Sequence, residues 1–252
     1  MGIITVNNDN IDIEDICCAK SDKKDNSCVS SKKSWLKERF KDGLIFKKLS
    51  SGGKVFIEYI PAENAWCPIS AEGYMFIDCF WVSGSFKGKG YGNELLEECI
   101  TDSKSQGKKG IVTLSSNKKM PFLSDPKFLK YKGFRVADTA DPYYELLYLP
   151  FHETAEIPKF KESVRDGVTN KKGIVLYYSN HCPYNAKYVP QLVNIAVERG
   201  VQISVVKLET KKQAQNAPAP FTTYSLFFNG EFITNEILSD KKFVKFLEEK
   251  GL

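Results

Sequence analysis

Six consecutive residues, Lys87-Gly88-Lys89-Gly90-Tyr91-Gly92, stand between a strongly apolar run and an amphipathic segment. Glycines let the backbone bend until successive N–H groups converge, and a helix that starts there adds unpaired first-turn N–H groups and a positive dipole end. A pyrophosphate is the natural occupant, with Lys87 and Lys89 adding charge. A plain turn and helix start is the alternative. The pattern excludes a P-loop, because no Gly-Lys-Ser/Thr ending follows. It also excludes the dinucleotide fingerprint, which needs a parallel βαβ unit and an acidic residue about 20 positions on. A second reactive feature is Cys182-Pro183, at the start of a predicted helix. Proline suits a first helical turn, and a thiol beside exposed N–H groups there has its thiolate favoured.

The elements that position these residues follow from periodicity. A strand is expected at Ile3 to Val6, a helix containing Ile13, Ile16 and Cys17, a polar stretch over Lys20 to Asn26, and a second helix from Ser34 to Phe40. Strands at Leu44 to Leu49 and Lys54 to Ile60 flank the hairpin glycines of Ser51-Gly52-Gly53. Tyr74 to Val82 is the near-continuous apolar run of a strand buried on both faces. The glycine loop then leads into a helix, Asn93 to Ser105, whose inner side is Leu95, Leu96, Cys99 and Ile100. A strand at Ile111 to Leu114, a helix at Phe128 to Tyr131 and strands at Phe134 to Val136 and Tyr144 to Leu149 complete the unit. Pro150 to Pro158 reads as a linker and Lys159 to Arg165 as a short helix. The pattern then restarts as βαβ followed by ββα: Gly173 to Ser179, a helix to Glu198, Val201 to Leu208, the Asn229-Gly230 hairpin, and a helix from Asp240 to Lys250. The expected fold class is therefore α/β (α+β), a mixed sheet with flanking helices in residues 1–150 and a smaller α/β domain in 151–252.

The chain has 252 residues, 36 basic against 31 acidic, and net charge +5. The lysines are spread along it, which argues against nucleic acid as a partner. No run nears the roughly 20 apolar residues of a membrane span, and the N-terminus lacks signal-peptide order, so a cytoplasmic address is expected. Seven cysteines at irregular spacing read as reduced thiols. With two histidines, His152 and His181, and no Cys-x-x-Cys, no metal is expected.

Lys87 to Gly92 resembles the Arg/Gln-x-x-Gly-x-Gly/Ala signature of the GNAT acetyltransferases, with Lys87 first, Gly90 fourth and Gly92 sixth. The strand before it, the helix after it and Lys132-Gly133-Phe134 match that family's order over about Ile3 to Leu149. The resemblance implies acetyl-CoA as co-substrate, its pyrophosphate on Lys87, Gly88, Lys89, Gly90, Tyr91 and Gly92 and its pantetheine arm along Phe80, Trp81 and Val82, with Asn117 as a further contact. It also implies a carboxylate base on the central strand, for which Asp78 is the only acidic candidate, and a tyrosine acid for the leaving thiolate, for which Tyr131 is nearest though two positions displaced. The acceptor implied is a small-molecule or peptide amine, with a homodimer as a candidate assembly.

Cys182-Pro183-Tyr184-Asn185 resembles a glutaredoxin site whose second cysteine is Asn, on a thioredoxin-like order of elements. The whole chain resembles the YoaP-like group of bacterial acetyltransferases. Direct N-acetyl transfer is the expected function. A thiol-dependent redox protein acting through Cys182 and a non-catalytic CoA-binding module are the alternatives.

Overall fold

The structure, a computed structural model, describes residues 2–16, 27–50, 53–165 and 167–252. Strands β1 (Ile3–Val6), β2 (Ile45–Leu49), β3 (Val55–Pro61), β5 (Tyr74–Val82), β6 (Gly110–Ser116), β7 (Arg135–Ala140) and β8 (Tyr144–Pro150) form one mixed sheet in the order β1-β2-β3-β5-β6-β8-β7. Only the β5–β6 pair is parallel. Alternation along these strands splits their apolar residues between two faces. Ile57, Met75, Ile77, Ile111 and Leu147 face helix α2 (Tyr91–Ser105), which buries Leu95, Leu96 and Cys99 against them. Phe56, Ile60, Phe76, Val112 and Leu146 lie on the opposite face, with Trp35 and Leu36 of α1 (Ser27–Lys41) and residues of a second sheet.

That second sheet orders its strands β11-β10-β12-β13, from β10 (Ile174–Tyr178), β11 (Ile203–Lys207), β12 (Tyr224–Phe228) and β13 (Glu231–Thr234). Its edge strand β11 pairs parallel with β10, and its other pairs are antiparallel. Asn229 and Gly230, at φ 52° and 92°, turn the chain between β12 and β13, as an Asn-Gly pair does best. Helices α4 (Pro183–Glu198) and α6 (Asp240–Glu249) cover one face, burying Val189, Leu192, Phe243 and Leu247. The other face joins the first sheet's core through Val175, Tyr177 and Phe227. A loop carrying α5 (Lys211–Ala214) reaches across, where Gln215 Nε2 donates to the carbonyls of Glu63 and Ala65 at 3.1 and 3.0 Å.

Three sequence expectations are corrected. The helix expected at Ile13 and Ile16 is a series of turns, because Asn7 and Asn10 side chains accept nearby backbone N–H bonds and compete with a helical ladder. Ile11 and Ile16 are nonetheless buried, while Ile13 is exposed. The helix expected from Ser34 begins earlier, at Ser27. The segment read as a linker runs back over the first sheet, and the short helix expected at Lys159 to Arg165 is only a 3₁₀ turn at Glu162–Val164 preceded by a strand: β9 (Lys159–Phe160) pairs with β4 (Ile69–Ser70), and Tyr74 Oη donates to the Glu156 carbonyl at 2.7 Å. Cys17, Cys18, the stretch Lys20 to Asn26 and the hairpin residues Ser51 and Gly52 lie outside the described residues.

Candidate active site

β5 and β6 pair only from Tyr74–Gly110 to Ile77–Thr113, where Thr113 Oγ1 donates to the Ile77 carbonyl at 3.0 Å. Beyond that point β6 continues beside β8 and β5 beside β3, so the two parallel strands part and leave one edge of Asp78 to Val82 without a strand partner among the described residues. An unpaired strand edge can bind an amide-bearing chain as an added strand would. At the parting point β5 carries a bulge: Glu58 pairs with Cys79 and Tyr59 with Ile77, leaving Asp78 as the extra residue. A bulge re-aims side chains. Here it places Cys79 with the Phe76 cluster rather than with Met75 and Ile77, and it turns Phe80 and Val82 back toward α2.

The gap between the strands opens into a cleft of about 690 Å³. Phe80, Trp81 and Val82 form one wall, Lys119 to Leu123 the opposite one, and Phe86 to Asn93, less Lys89, its end. Gly88 and Gly90 have φ of 74° and 87°, a region that L side chains rarely adopt, and Gly90 is the N-cap of α2. The loop thus turns onto the helix start, beside Lys87, as an anion site requires. Cleft volume, free strand edge and helix N-terminus together fit a long chain that ends in a pyrophosphate.

A narrower pocket of about 30 Å³ shares Phe80, Trp81, Phe122 and Leu123 with the cleft. Asp78 lies in its wall, with Trp66, Cys67 and Phe76, and Pro220 to Thr223 close it from the second sheet's side. Phe122 stands at the junction at φ 65°, an unusual conformation for a bulky residue. Behind Asp78 is a buried charge cluster. Lys32 Nζ of α1 meets Glu58 Oε2 of β3 at 2.7 Å with neither side chain exposed. His181 Nε2 lies 3.3 Å from the same Glu58 oxygen and 3.6 Å from Asp78 Oδ2, while its Nδ1 is 2.8 Å from Thr223 Oγ1. Burial pushes the Glu58 carboxyl up, but Lys32 and His181 outweigh it and hold the group below its ordinary range. Burial dominates at Asp78, and with Glu58 nearby it raises that carboxyl, against a lowering pull from His181.

Phe80, Trp81, Val82, Lys87, Gly88, Gly90, Tyr91 and Gly92 all line the cleft. Lys89 does not, nor does Asn117, which is exposed with its backbone N–H donating to the Tyr143 carbonyl at 3.0 Å. Tyr131 is 84% exposed at the end of α3 (Pro126–Tyr131) with Lys132 against its ring, while Phe128 and Leu129 of that helix face the cleft. Its place in the fold does not bring its hydroxyl to the site. Cys182 caps α4 as expected, yet its thiolate is not favoured: burial pushes the thiol up to about 11, against a lowering contribution from the Tyr184 N–H. Among the described residues, Glu58, Asp78 and His181 are the one group that brings three ligand-type atoms within 4.8 Å of one another. Lys32 already supplies a cation to Glu58 there.

Residues 16–121 match the Acetyltransferase (GNAT) family and residues 202–245 the YoaP-like family. The chain is 43% identical over 247 residues to the uncharacterized N-acetyltransferase YoaP of Bacillus subtilis (strain 168), covering 98% of each. The chain belongs to the GNAT acetyltransferases of the YoaP kind. Among solved structures it is similar to the PaiA N-acetyltransferase of Thermoplasma acidophilum in complex with coenzyme A, at 14% identity and TM-score 0.41 over 60% of this chain and 100% of that one. It is also similar to a GNAT acetyltransferase of Brucella melitensis in complex with acetyl-CoA, at 13% identity and TM-score 0.39 over 64% and 92%. Likeness of that size adds nothing to the family assignment, which rests on the YoaP relative.

Glu58, Lys32, His181, Thr223 and the Lys119 to Leu123 loop were not legible as site residues. Glu58 had a signal: it is the one charge inside Val55-Phe56-Ile57-Glu58-Tyr59-Ile60, and a buried charge needs a partner. His181 and Lys32 had none, because their approach depends on how the second sheet and α1 dock. Among the described residues no helix is long and apolar enough to cross a membrane.

Proposed function

We propose that the protein is an acetyl-CoA-dependent N-acetyltransferase that moves an acetyl group directly to an amine of a small molecule or peptide. The observation that carries this reading is a pair of adjoining spaces: a cleft bounded by the unpaired β5 edge and the glycine loop, and a pocket lined by Asp78 that shares Phe80, Trp81, Phe122 and Leu123 with it. In this reading the Lys87–Gly92 loop and the α2 N-terminus hold the pyrophosphate, and the β5 edge aligns the pantetheine amides. Asp78 takes a proton from the incoming ammonium, giving a neutral amine. A carboxyl raised by burial holds that proton better than an ordinary aspartate would. The amine lone pair forms the new C–N bond, the C–S bond breaks with its electron pair on sulfur, and the proton that the nitrogen sheds as the amide forms passes to the departing thiolate. Across the reaction one proton is released, and Asp78 returns to carboxylate by losing it to solvent.

On the same reading, residues 1–150 form the acetyltransferase unit and 151–252 a thioredoxin-like unit kept as scaffold, since a thiol pushed up to about 11 is a poor redox group at neutral pH. Reduced thiols and acetyl-CoA suit a cytoplasmic enzyme. Calorimetric titration with acetyl-CoA, followed by free-CoA release with a panel of alkyl, aryl, polyamine and peptide amines, tests the function. Binding that Lys87→Ala weakens and Cys182→Ser leaves intact supports it; no binding to wild type overturns it.

A further inference from the structure

The charge cluster behind Asp78 is assembled from three places in the chain, and the GNAT-like unit supplies only two of them. Glu58 and Asp78 come from neighbouring strands, and His181 Nε2 lies within 3.6 Å of an oxygen of each. Two carboxylates sharing one buried site cannot both stay ionised without a compensating group, and the one that yields becomes a neutral acid. Lys32 satisfies Glu58 at 2.7 Å. The group that faces Asp78 itself is His181, from the loop between β10 and α4. Its ring packs on Trp35 at 4.9 Å between centroids, and Thr223, from the loop before β12, fixes Nδ1 at 2.8 Å.

We propose that His181 is a positioning residue for acetyl transfer: the second unit, through His181 and Thr223, holds Asp78 in the proton-accepting form and aims it at the acceptor pocket. The inference rests on Asp78 being the base. It gives the second unit a role that needs no thiol chemistry. The same loop that orients His181 also closes the acceptor pocket with Pro220 to Thr223, docked by Thr222 Oγ1 donating to the Trp66 carbonyl and Cys67 Sγ to the Pro220 carbonyl at 3.4 Å. Seating of the second unit therefore completes both the acceptor wall and the base.

The charged and titratable groups that bear on Asp78 come from every neighbouring element. They are Lys32 and Arg39 of α1, Glu58 of β3, Cys67 of the loop before β4, and His181. Removing His181 takes away the largest of the contributions that favour the carboxylate, leaving the smaller ones of Lys32 and Arg39 against burial and Glu58, so the Asp78 titration moves to higher pH.

The test uses the full chain labelled with ¹³Cγ aspartate, the Asp78 signal being assigned by its loss in Asp78→Asn. Three variants are compared with wild type: His181→Phe, which keeps a ring on Trp35; His181→Gln, which keeps an amide donor; and Thr223→Val, which removes the Nδ1 partner. Each is first titrated with acetyl-CoA. The inference predicts affinities within twofold of wild type. It predicts an Asp78 midpoint moved to higher pH in His181→Phe, partly restored in His181→Gln, and moved the same way in Thr223→Val. A role in packing alone would leave the midpoint in place. An unmoved midpoint in a variant that still binds acetyl-CoA overturns the inference and leaves the acetyltransferase reading standing. If the His181 variants do not fold, Thr223→Val decides by the same criterion. Failure of wild type to bind acetyl-CoA would instead remove the acetyltransferase reading.

Discussion

Lys32→Met is the sharpest perturbation of the buried cluster. Lys32 and Glu58 are both fully buried, 2.7 Å apart, and the second Glu58 oxygen has no hydrogen-bond partner among the described residues. Methionine keeps the length and apolar stem of the lysine, so the change is mainly loss of the ammonium. Removing one partner of a buried pair strands the other charge, at a cost of about 3–5 kcal/mol. In a chain of this size that corresponds to a melting-temperature drop of roughly 6–20 °C. The pH dependence identifies the cause. In wild type the Glu58 carboxyl is held below its ordinary value of 4.5, so it adds stability above that pH and the contribution is lost as pH falls through the folded value. Without Lys32 only His181 is left to oppose burial, and the folded value is expected to rise above the unfolded one. Glu58 then subtracts stability at neutral pH and ceases to do so once protonated in acid. The difference between wild type and variant, read by thermal unfolding in circular dichroism, is therefore greatest near pH 7.5 and shrinks below about pH 4.5. Adding Glu58→Gln to Lys32→Met should recover most of the loss. A deficit that is the same in acid and at neutral pH, or that Glu58→Gln leaves untouched, would refute the reasoning.

Gly90→Val forces a β-branched residue to φ 87° at the head of α2, a strain of about 1–2 kcal/mol that moves the loop; acetyl-CoA affinity by calorimetry should fall at least tenfold. Cys182 alkylation by iodoacetamide at pH 7 should be slow, because a thiol pushed up to about 11 is about 0.01% thiolate there. Rapid labelling, followed by peptide mass spectrometry, would contradict that. Asn235 is fully buried, accepts from Tyr143 Oη and donates through Nδ2 to the Pro121 carbonyl at 2.8 Å in the cleft loop. Asn235→Ala should cost about 1–2 kcal/mol in urea unfolding, since the half-buried Tyr143 hydroxyl and the exposed Pro121 carbonyl lose their partner, and should raise KM for acetyl-CoA. Tyr131→Phe, on an 84% exposed residue, should leave turnover with any accepted amine unchanged.

Much of the architecture was readable from the chain because its signals are local. The run Tyr74 to Val82 and the hairpin at Asn229-Gly230 were located to the residue, and α2 starts two residues before its expected first residue, Asn93, because Gly90 itself supplies the cap. The glycine loop reached the cleft for the same reason: helix start, positive-φ glycines and lysine lie within six residues. What the sequence hid is non-local. The bulge that isolates Asp78 depends on register against Glu58, and the cluster around Asp78 needs α1, β3 and the second unit docked together. Tyr131 and Asn117 follow only from motif spacing, and in this chain the loop Lys119 to Leu123 takes the cleft wall instead. Cys182 sat where a helix end favours a thiolate, but burial, which no local pattern reports, reverses the balance.

On the proposed function, the cleft delivers the acetyl-CoA thioester to an amine that Asp78 deprotonates. Asp78→Asn tests it most directly, with acetyl-CoA affinity measured by calorimetry and free-CoA release measured beside it across the amine panel. The prediction is an affinity within twofold of wild type and a turnover reduced about 10²–10⁴-fold with every amine that wild type accepts. Turnover that survives the substitution at the wild-type level would contradict it.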